Sequence, residues 1–80
     1  MELAEILKHV NEIFIDILDN EELVIIESTQ ASDIAEWDSL SHIQLVVAIE
    51  KYFKIRFTSK EIQSWNNVGE MLHSIKKKVI

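Results

Sequence analysis

Apolar residues recur at steps of three and four through the first 18 positions, with polar residues between them. The apolar set is Leu3, Ile6, Leu7, Val10, Ile13, Phe14, Ile17 and Leu18. The intervening polar set is Glu2, Glu5, Lys8, Glu12 and Asp16. This spacing predicts an amphipathic first helix that buries one stripe and exposes the opposite face.

The helical period fails between Asp19 and Trp37, where Asn, Glu, Ser, Thr, Gln and Asp dominate. We interpret this segment as a long loop, a feature that in compact domains is commonly functional or packed on itself. The apolar residues predicted to hold it against the core are Leu23, Ile26, Ile34 and Trp37. A short strand over residues 23–26 is an alternative, although no partner strand is evident.

Three further helices are predicted, because an N-capping residue precedes each of three later stretches with helical spacing. The capping residues are Asp38, Thr58 and Asn67. The core positions predicted on the long second helix are Val46, Ile49 and Phe53, and those on the last helix are Val68, Met71, Leu72, Ile75 and Val79. The predicted fold class is therefore all-α, a small four-helix bundle of three main helices and one short helix, forming a single domain over residues 1–80.

Length and composition narrow the class of protein. A chain of 80 residues has room for one core but for no deep enclosed active site, so we do not expect an enzyme. The chain has no cysteine, which excludes disulfide scaffolds and thiolate zinc sites, and its three histidines are too far apart to pair on one helical turn. The longest apolar run, residues 45–49, is too short to span a bilayer, and the start carries no basic leader. We expect a cytoplasmic monomer.

The chain has a formal net charge of −6, and its charged residues are unevenly distributed along the sequence. Residues 1–38 hold 11 acids and one base, whereas residues 39–80 hold 3 acids and 7 bases. This asymmetry is consistent with an oriented electrostatic surface and equally with a solvated acidic helix. The three lysines at 76–78 suit the negative end of a last helix and lack interleaved aromatic residues, so we expect no nucleic-acid partner.

Ser39 follows the predicted cap Asp38 directly, after a polar loop that leaves its hydroxyl accessible. A helix N-terminus favours a phosphate through its unpaired amides and its dipole. Taken alone, the pair is better explained as a simple cap. Ser39 and His42 also share a helical face, which is compatible with a hydrolase pair, but no third orienting group, glycine-rich elbow or oxyanion hole accompanies them.

The surroundings of Ser39 resemble the signature region of acyl carrier proteins and of the related peptidyl and aminoacyl carrier domains. An Asp-Ser-Leu sequence opens a helix, apolar residues follow, and a Glu-x-x-Phe sequence closes it. The matching residues are Asp38, Ser39, Leu40, Glu50 and Phe53. The resemblance continues through the short third helix to the start of the fourth and is weak over residues 1–32.

This resemblance implies that Ser39 carries a 4′-phosphopantetheine arm, donated by coenzyme A, whose thiol bears an acyl or aminoacyl thioester. It implies a phosphopantetheinyl transferase as partner, with Asp38 helping to hold the metal only in that complex. Acyl- or aminoacyl-loading enzymes and acyltransferase or condensing enzymes are the further partners implied. The family docks partners mainly on this helix, so the candidate docking residues are Asp38, Leu40, Val47 and Glu50, with core packing as the alternative for Val47.

One departure from the family pattern concerns the pathway. Ser41, Gln44 and Lys51 stand where fatty acid carriers are often acidic. This favours a specialised pathway, such as polyketide, nonribosomal peptide, lipid or cell-surface modification, over housekeeping fatty acid biosynthesis.

The alternative class is a small helical protein-interaction adaptor without a prosthetic group. Trp37 and Trp65 are predicted to pack the loop and the short helix, with reshaping of an interior acyl cavity as the alternative.

Overall fold

Four helices form the protein in the computed structural model, which describes residues 2–79. They are α1 (Leu3–Leu18), α2 (Ser39–Phe53), α3 (Ser59–Ser64) and α4 (Val68–Lys78), and a short 3-10 turn, Ala31–Asp33, lies in the loop between α1 and α2. No strand forms in residues 2–79, so the predicted all-α bundle is confirmed and the alternative strand is wrong. Over the same range, no helix is both long enough and apolar enough to cross a bilayer.

The predicted capping residues begin α2, α3 and α4. In each case the side-chain oxygen accepts the backbone amide three residues later, at 2.9 Å for Asp38, 3.1 Å for Thr58 and 2.9 Å for Asn67. Such a cap contributes about 1 kcal/mol to helix stability. These local bonds explain why the helix starts are readable from the sequence.

The core lies where α1 packs against both α2 and α4. Its most completely buried side chains are Ile6, Val10, Phe14, Leu45, Ile49, Val68, Met71, Leu72 and Ile75. On α2, the predicted core residues Val46 and Ile49 are buried, and Phe53 packs half-buried against the core. The predicted apolar stripes of α1 and α4 are therefore confirmed.

The loop between α1 and α2 is anchored by Ile25 and not by Ile26. Ile25 is 2% exposed and Ile26 is 56% exposed, so the prediction for Ile26 is wrong. The cause is Asn11 of α1, whose Oδ1 accepts the Ile25 amide at 2.7 Å and whose Nδ2 donates to the Leu23 carbonyl at 3.3 Å. These bonds turn Ile25 inward. The predicted anchors Ile34 and Trp37 are buried, and Leu23 packs half-buried on the core.

The same loop also bonds to the start of α4. The Val68 amide donates to the Thr29 carbonyl at 2.8 Å, and the Gly69 amide donates to the Glu27 carbonyl at 2.7 Å. Gly69 permits this approach, because a Cβ at its position would lie 3.0 Å from the Glu27 carbonyl oxygen. The loop is thus fixed to the first and the last helix before it reaches α2.

Candidate functional site

Ser39 is the first residue of α2, and its side chain is exposed. The hydrogen bonds that hold this turn are made by its neighbours Asp38 and Ser41. An exposed hydroxyl at a helix N-terminus, where backbone amides and the dipole favour negative charge, fits a group attached through a phosphodiester.

Asp38 and Ser41 form a reciprocal capping box around Ser39. Asp38 Oδ1 accepts the Ser41 amide at 2.9 Å, and Ser41 Oγ accepts the Asp38 amide at 2.8 Å. The bond from the Ser41 amide is the largest cause that lowers the pKa of Asp38 from its ordinary value. The turn therefore places an ionised, exposed carboxylate next to the Ser39 hydroxyl.

Ser41 lies inside the turn and is not available on the exposed face of α2. Its side chain is 9% exposed, and its hydroxyl donates to the Glu36 carbonyl at 2.9 Å. Ser41, which stands where fatty acid carriers are often acidic, is therefore not part of the exposed face of α2. The hydroxyl joins the end of the loop to the first turn of α2.

Replacing Ser41 with alanine is expected to lower the free energy of unfolding by about 1–3 kcal/mol. The substitution removes two part-buried hydrogen bonds, to the Asp38 amide and to the Glu36 carbonyl, and each contributes about 0.5–1.5 kcal/mol. Urea unfolding followed by circular dichroism measures the change. A loss under about 0.5 kcal/mol, typical of an ordinary surface substitution, would contradict this role of Ser41.

An apolar stripe on α2 begins beside Ser39. It consists of Leu40, Ile43 and Val47, which are 67%, 61% and 43% exposed. The structure thus places the candidate docking residues Leu40 and Val47 at the surface and adds Ile43, which the sequence analysis missed. The i, i+3, i+7 spacing of these three residues was the available signal.

Glu50, the other candidate docking residue on α2, is half-buried. Its Oε2 accepts the Phe57 amide at 2.9 Å, and its backbone carbonyl accepts the Ile55 amide at 3.0 Å. Glu50 therefore holds the connection between α2 and α3, and one of its carboxylate oxygens is engaged inside the protein.

His42 faces two tryptophans rather than Ser39. Its Nδ1 accepts a hydrogen bond from Trp37 Nε1 at 3.0 Å, and its ring stacks on Trp37 at 5.9 Å between centroids. On its other side it meets the edge of Trp65 at 6.1 Å. A histidine held in this way does not activate the Ser39 hydroxyl, so the hydrolase alternative is wrong.

Both tryptophans have packing roles. Trp37 is 8% exposed and meets Phe14 edge to face at 4.9 Å, which seats the end of the loop on α1. Trp65 Nε1 donates to Ser74 Oγ at 2.9 Å and joins the segment after α3 to α4. With His42 they line a small cavity of about 70 Å³.

The half-buried position of His42 predicts that the fold loses stability on mild acidification. Burial is the main cause that lowers the pKa of His42 from its ordinary value of 6.5. The unfolded chain then binds the proton more readily, so the free energy of unfolding falls as the pH drops below about 6.5. Urea midpoints at pH 7.5 and 5.5 measure this change. In His42→Gln, which lacks the titrating imidazole, the free energy of unfolding is expected to fall less between these two pH values. An equal fall in the variant and in the unsubstituted protein would contradict the prediction.

Comparison with known proteins agrees with this geometry. A family model described as "Phosphopantetheine attachment site" matches residues 2–75. The chain is similar to the solution structure of a holo acyl carrier protein from Geobacter metallireducens, with 39% identity and a TM-score of 0.85, over 90% of this chain and 83% of that one.

A second structure shares the fold. A Mycobacterium tuberculosis protein assigned as an acyl carrier protein has 24% identity and a TM-score of 0.81, over 90% of this chain and 96% of that one. The match to the attachment-site family also removes the alternative of an adaptor without a prosthetic group. The chain therefore belongs to the acyl carrier protein family, with 4′-phosphopantetheine as its covalent cofactor, and is a carrier rather than an enzyme.

Proposed function

We propose that Ser39 carries the 4′-phosphopantetheine arm and that the protein shuttles thioester-bound acyl or aminoacyl groups between enzymes of a specialised pathway. The observation that supports this most directly is the exposed Ser39 hydroxyl at the start of α2, inside a turn that Asp38 and Ser41 hold in place. The rigid turn presents the hydroxyl to an incoming enzyme.

The transferase supplies the chemistry of attachment in this proposal. In the complex with the transferase, Ser39 Oγ would bond to the phosphorus of coenzyme A that carries the pantetheine, the pyrophosphate bond would break, and adenosine 3′,5′-bisphosphate would leave. The Ser39 hydroxyl proton must pass to a base, and His42 is already engaged by Trp37. The base therefore comes from the transferase. Asp38 would help to hold the metal of the transferase in that complex, a role that its exposure and lowered pKa support. Incubation with coenzyme A, magnesium and a transferase is expected to add one phosphopantetheinyl unit, and an unchanged mass with several transferases would contradict the assignment.

The exposed face of α2 supports a specialised pathway. Glu50 is the only acid between Ser39 and Phe53, and its carboxylate is half-buried and bonded to the Phe57 amide. Enzymes of fatty acid synthesis generally meet their carriers through basic patches. Because this face offers the apolar stripe, docking depends mainly on apolar contact.

The phosphopantetheinylated protein is accordingly expected to be a poor substrate for fatty acid elongation enzymes, and Gln44→Glu with Lys51→Glu is expected to improve it. Both positions are exposed, and exposed charges mainly set the rate of encounter. Turnover should respond most at low salt, because the Debye length is about 10 Å at 0.1 M.

A matched control for this pair lies on α3. Lys60→Glu with Gln63→Glu makes the same change of charge at exposed positions of α3 instead of α2 and should leave elongation unchanged. If the unsubstituted protein already matched a fatty acid carrier, or if the α2 pair slowed elongation, the specialised pathway would be refuted while attachment at Ser39 would stand.

A further inference from the structure

A surface groove of about 500 Å³ lies where the end of α2 meets the loop that leads to α3. Its lining residues are Val47, Glu50, Lys51, Lys54, Ile55 and Arg56. Three cations, one acid and two apolar side chains therefore line it. The groove is locally positive in a chain whose formal net charge is −6.

The cations of this groove are available to a partner. Lys51, Lys54 and Arg56 are exposed, and within residues 2–79 none of them forms an ion pair with a carboxylate. Lys78 of α4, by contrast, pairs with Glu61 at 3.2 Å. Glu50 is the one acid against three cations in the lining, so it neutralises the groove only in part.

The groove and the apolar stripe form one continuous surface, because Val47 belongs to both. Val47 follows Ser39 by eight residues, which is about 12 Å along a helix. The order along α2 is therefore the proposed attachment site, then exposed apolar side chains, then cations. This order predicts both the chemistry of a binding partner and its orientation along α2.

We propose that this surface docks a partner helix whose apolar residues lie on the stripe and whose flanking carboxylates enter the groove. A helix laid on an exposed apolar face is a common mode of recognition, and charge at the rim selects the partner and its orientation. The functional meaning of the surface rests on the proposed attachment at Ser39. The enzymes that this carrier serves are then distinguished by an acidic docking helix.

Two synthetic amphipathic peptides test this proposal. They share one pattern of leucines, and one carries glutamates at the flanking positions where the other carries lysines. Titration into the full-length ¹⁵N-labelled protein, with and without the arm, is followed by NMR. The glutamate peptide is expected to bind about tenfold more tightly at low salt, a ratio that a few exposed ion pairs provide. The largest shifts should occur at Val47, Lys51 and Arg56.

A preference for the glutamate peptide cannot come from the net charge of the protein, because a charge of −6 by itself favours the lysine peptide. Lys51→Glu with Arg56→Glu is expected to reverse the preference, whereas Lys76→Glu with Lys77→Glu, the same change of charge on α4, is expected to preserve it.

Several results would overturn the proposal: a preference of the unsubstituted protein for the lysine peptide, no binding of either peptide, or equal effects of the two variants. Intact mass after treatment with the transferase tests Ser39 separately, so failure of the docking surface and failure of the attachment site are distinguishable.

Discussion

Replacing Ser39 with alanine is expected to abolish attachment of 4′-phosphopantetheine and to leave the helices intact. The substitution removes the only atom of that side chain able to form the phosphodiester. The turn is held by Asp38 and Ser41, and Ser39 is exposed, so the free energy of unfolding should change by less than about 0.5 kcal/mol. Intact mass spectrometry after incubation with coenzyme A, magnesium and the transferase measures the first effect, and circular dichroism in urea measures the second.

Ser59 offers a closely matched control. It is the exposed first residue of α3 and follows Thr58, which forms the same kind of reciprocal capping box. Ser59→Ala should gain one phosphopantetheinyl unit as the unsubstituted protein does. Modification of Ser39→Ala would show that another residue carries the arm, and a large loss of helicity in that variant would make Ser39 a structural residue.

Replacing Phe14 with alanine is expected to lower the free energy of unfolding by about 3–5 kcal/mol. Phe14 is fully buried, and truncation of such a side chain leaves a cavity and loses its transfer free energy. The ring also meets Trp37 edge to face at 4.9 Å, a geometry that adds about 0.5–1.5 kcal/mol. Because small domains are stable by only about 5–15 kcal/mol, the variant should be close to unfolding.

Urea unfolding at 25 °C gives this value directly. Leu40→Ala, which shortens an exposed side chain of the apolar stripe, is the control and should change stability by less than about 0.5 kcal/mol. A loss under about 1.5 kcal/mol for Phe14→Ala would mean that the contact between α1 and the end of the loop adds little to the fold.

The helices could be predicted from the sequence because local features define them. Asp38, Thr58 and Asn67 each cap a helix through an amide three residues away, and spacing at three and four residues marks the buried faces. Which side chains of the loop turn toward the core could not be predicted in this way. The inward turn of Ile25 depends on Asn11, a polar residue of another element, and no pattern near Ile25 signals that bond.

The candidate site also contains residues that could be predicted from the sequence and residues that could not. The motif around Ser39 is contiguous, so Asp38 and Ser39 were found by reading along the chain. The burial of Ser41 depends on the Glu36 carbonyl, which only the path of the loop brings near. Lys54 lines the groove and ends α2 in the left-handed conformation, with φ 59°, and a non-glycine residue gives little warning of that conformation.

The double anchoring of the loop between α1 and α2 has a consequence for hydrogen exchange. The amides of Ile25, Val68 and Gly69 each donate across the gap between this loop and a helix. The Ile25 bond reaches Asn11 in the middle of α1, so fraying of a helix end cannot open it, whereas Val68 and Gly69 are the first residues of α4 and can be released there. The Ile25 amide should therefore exchange with the slow, global opening of the domain, and the Val68 and Gly69 amides should exchange faster. One amide of a loop without strand or long helix would then exchange as slowly as the core.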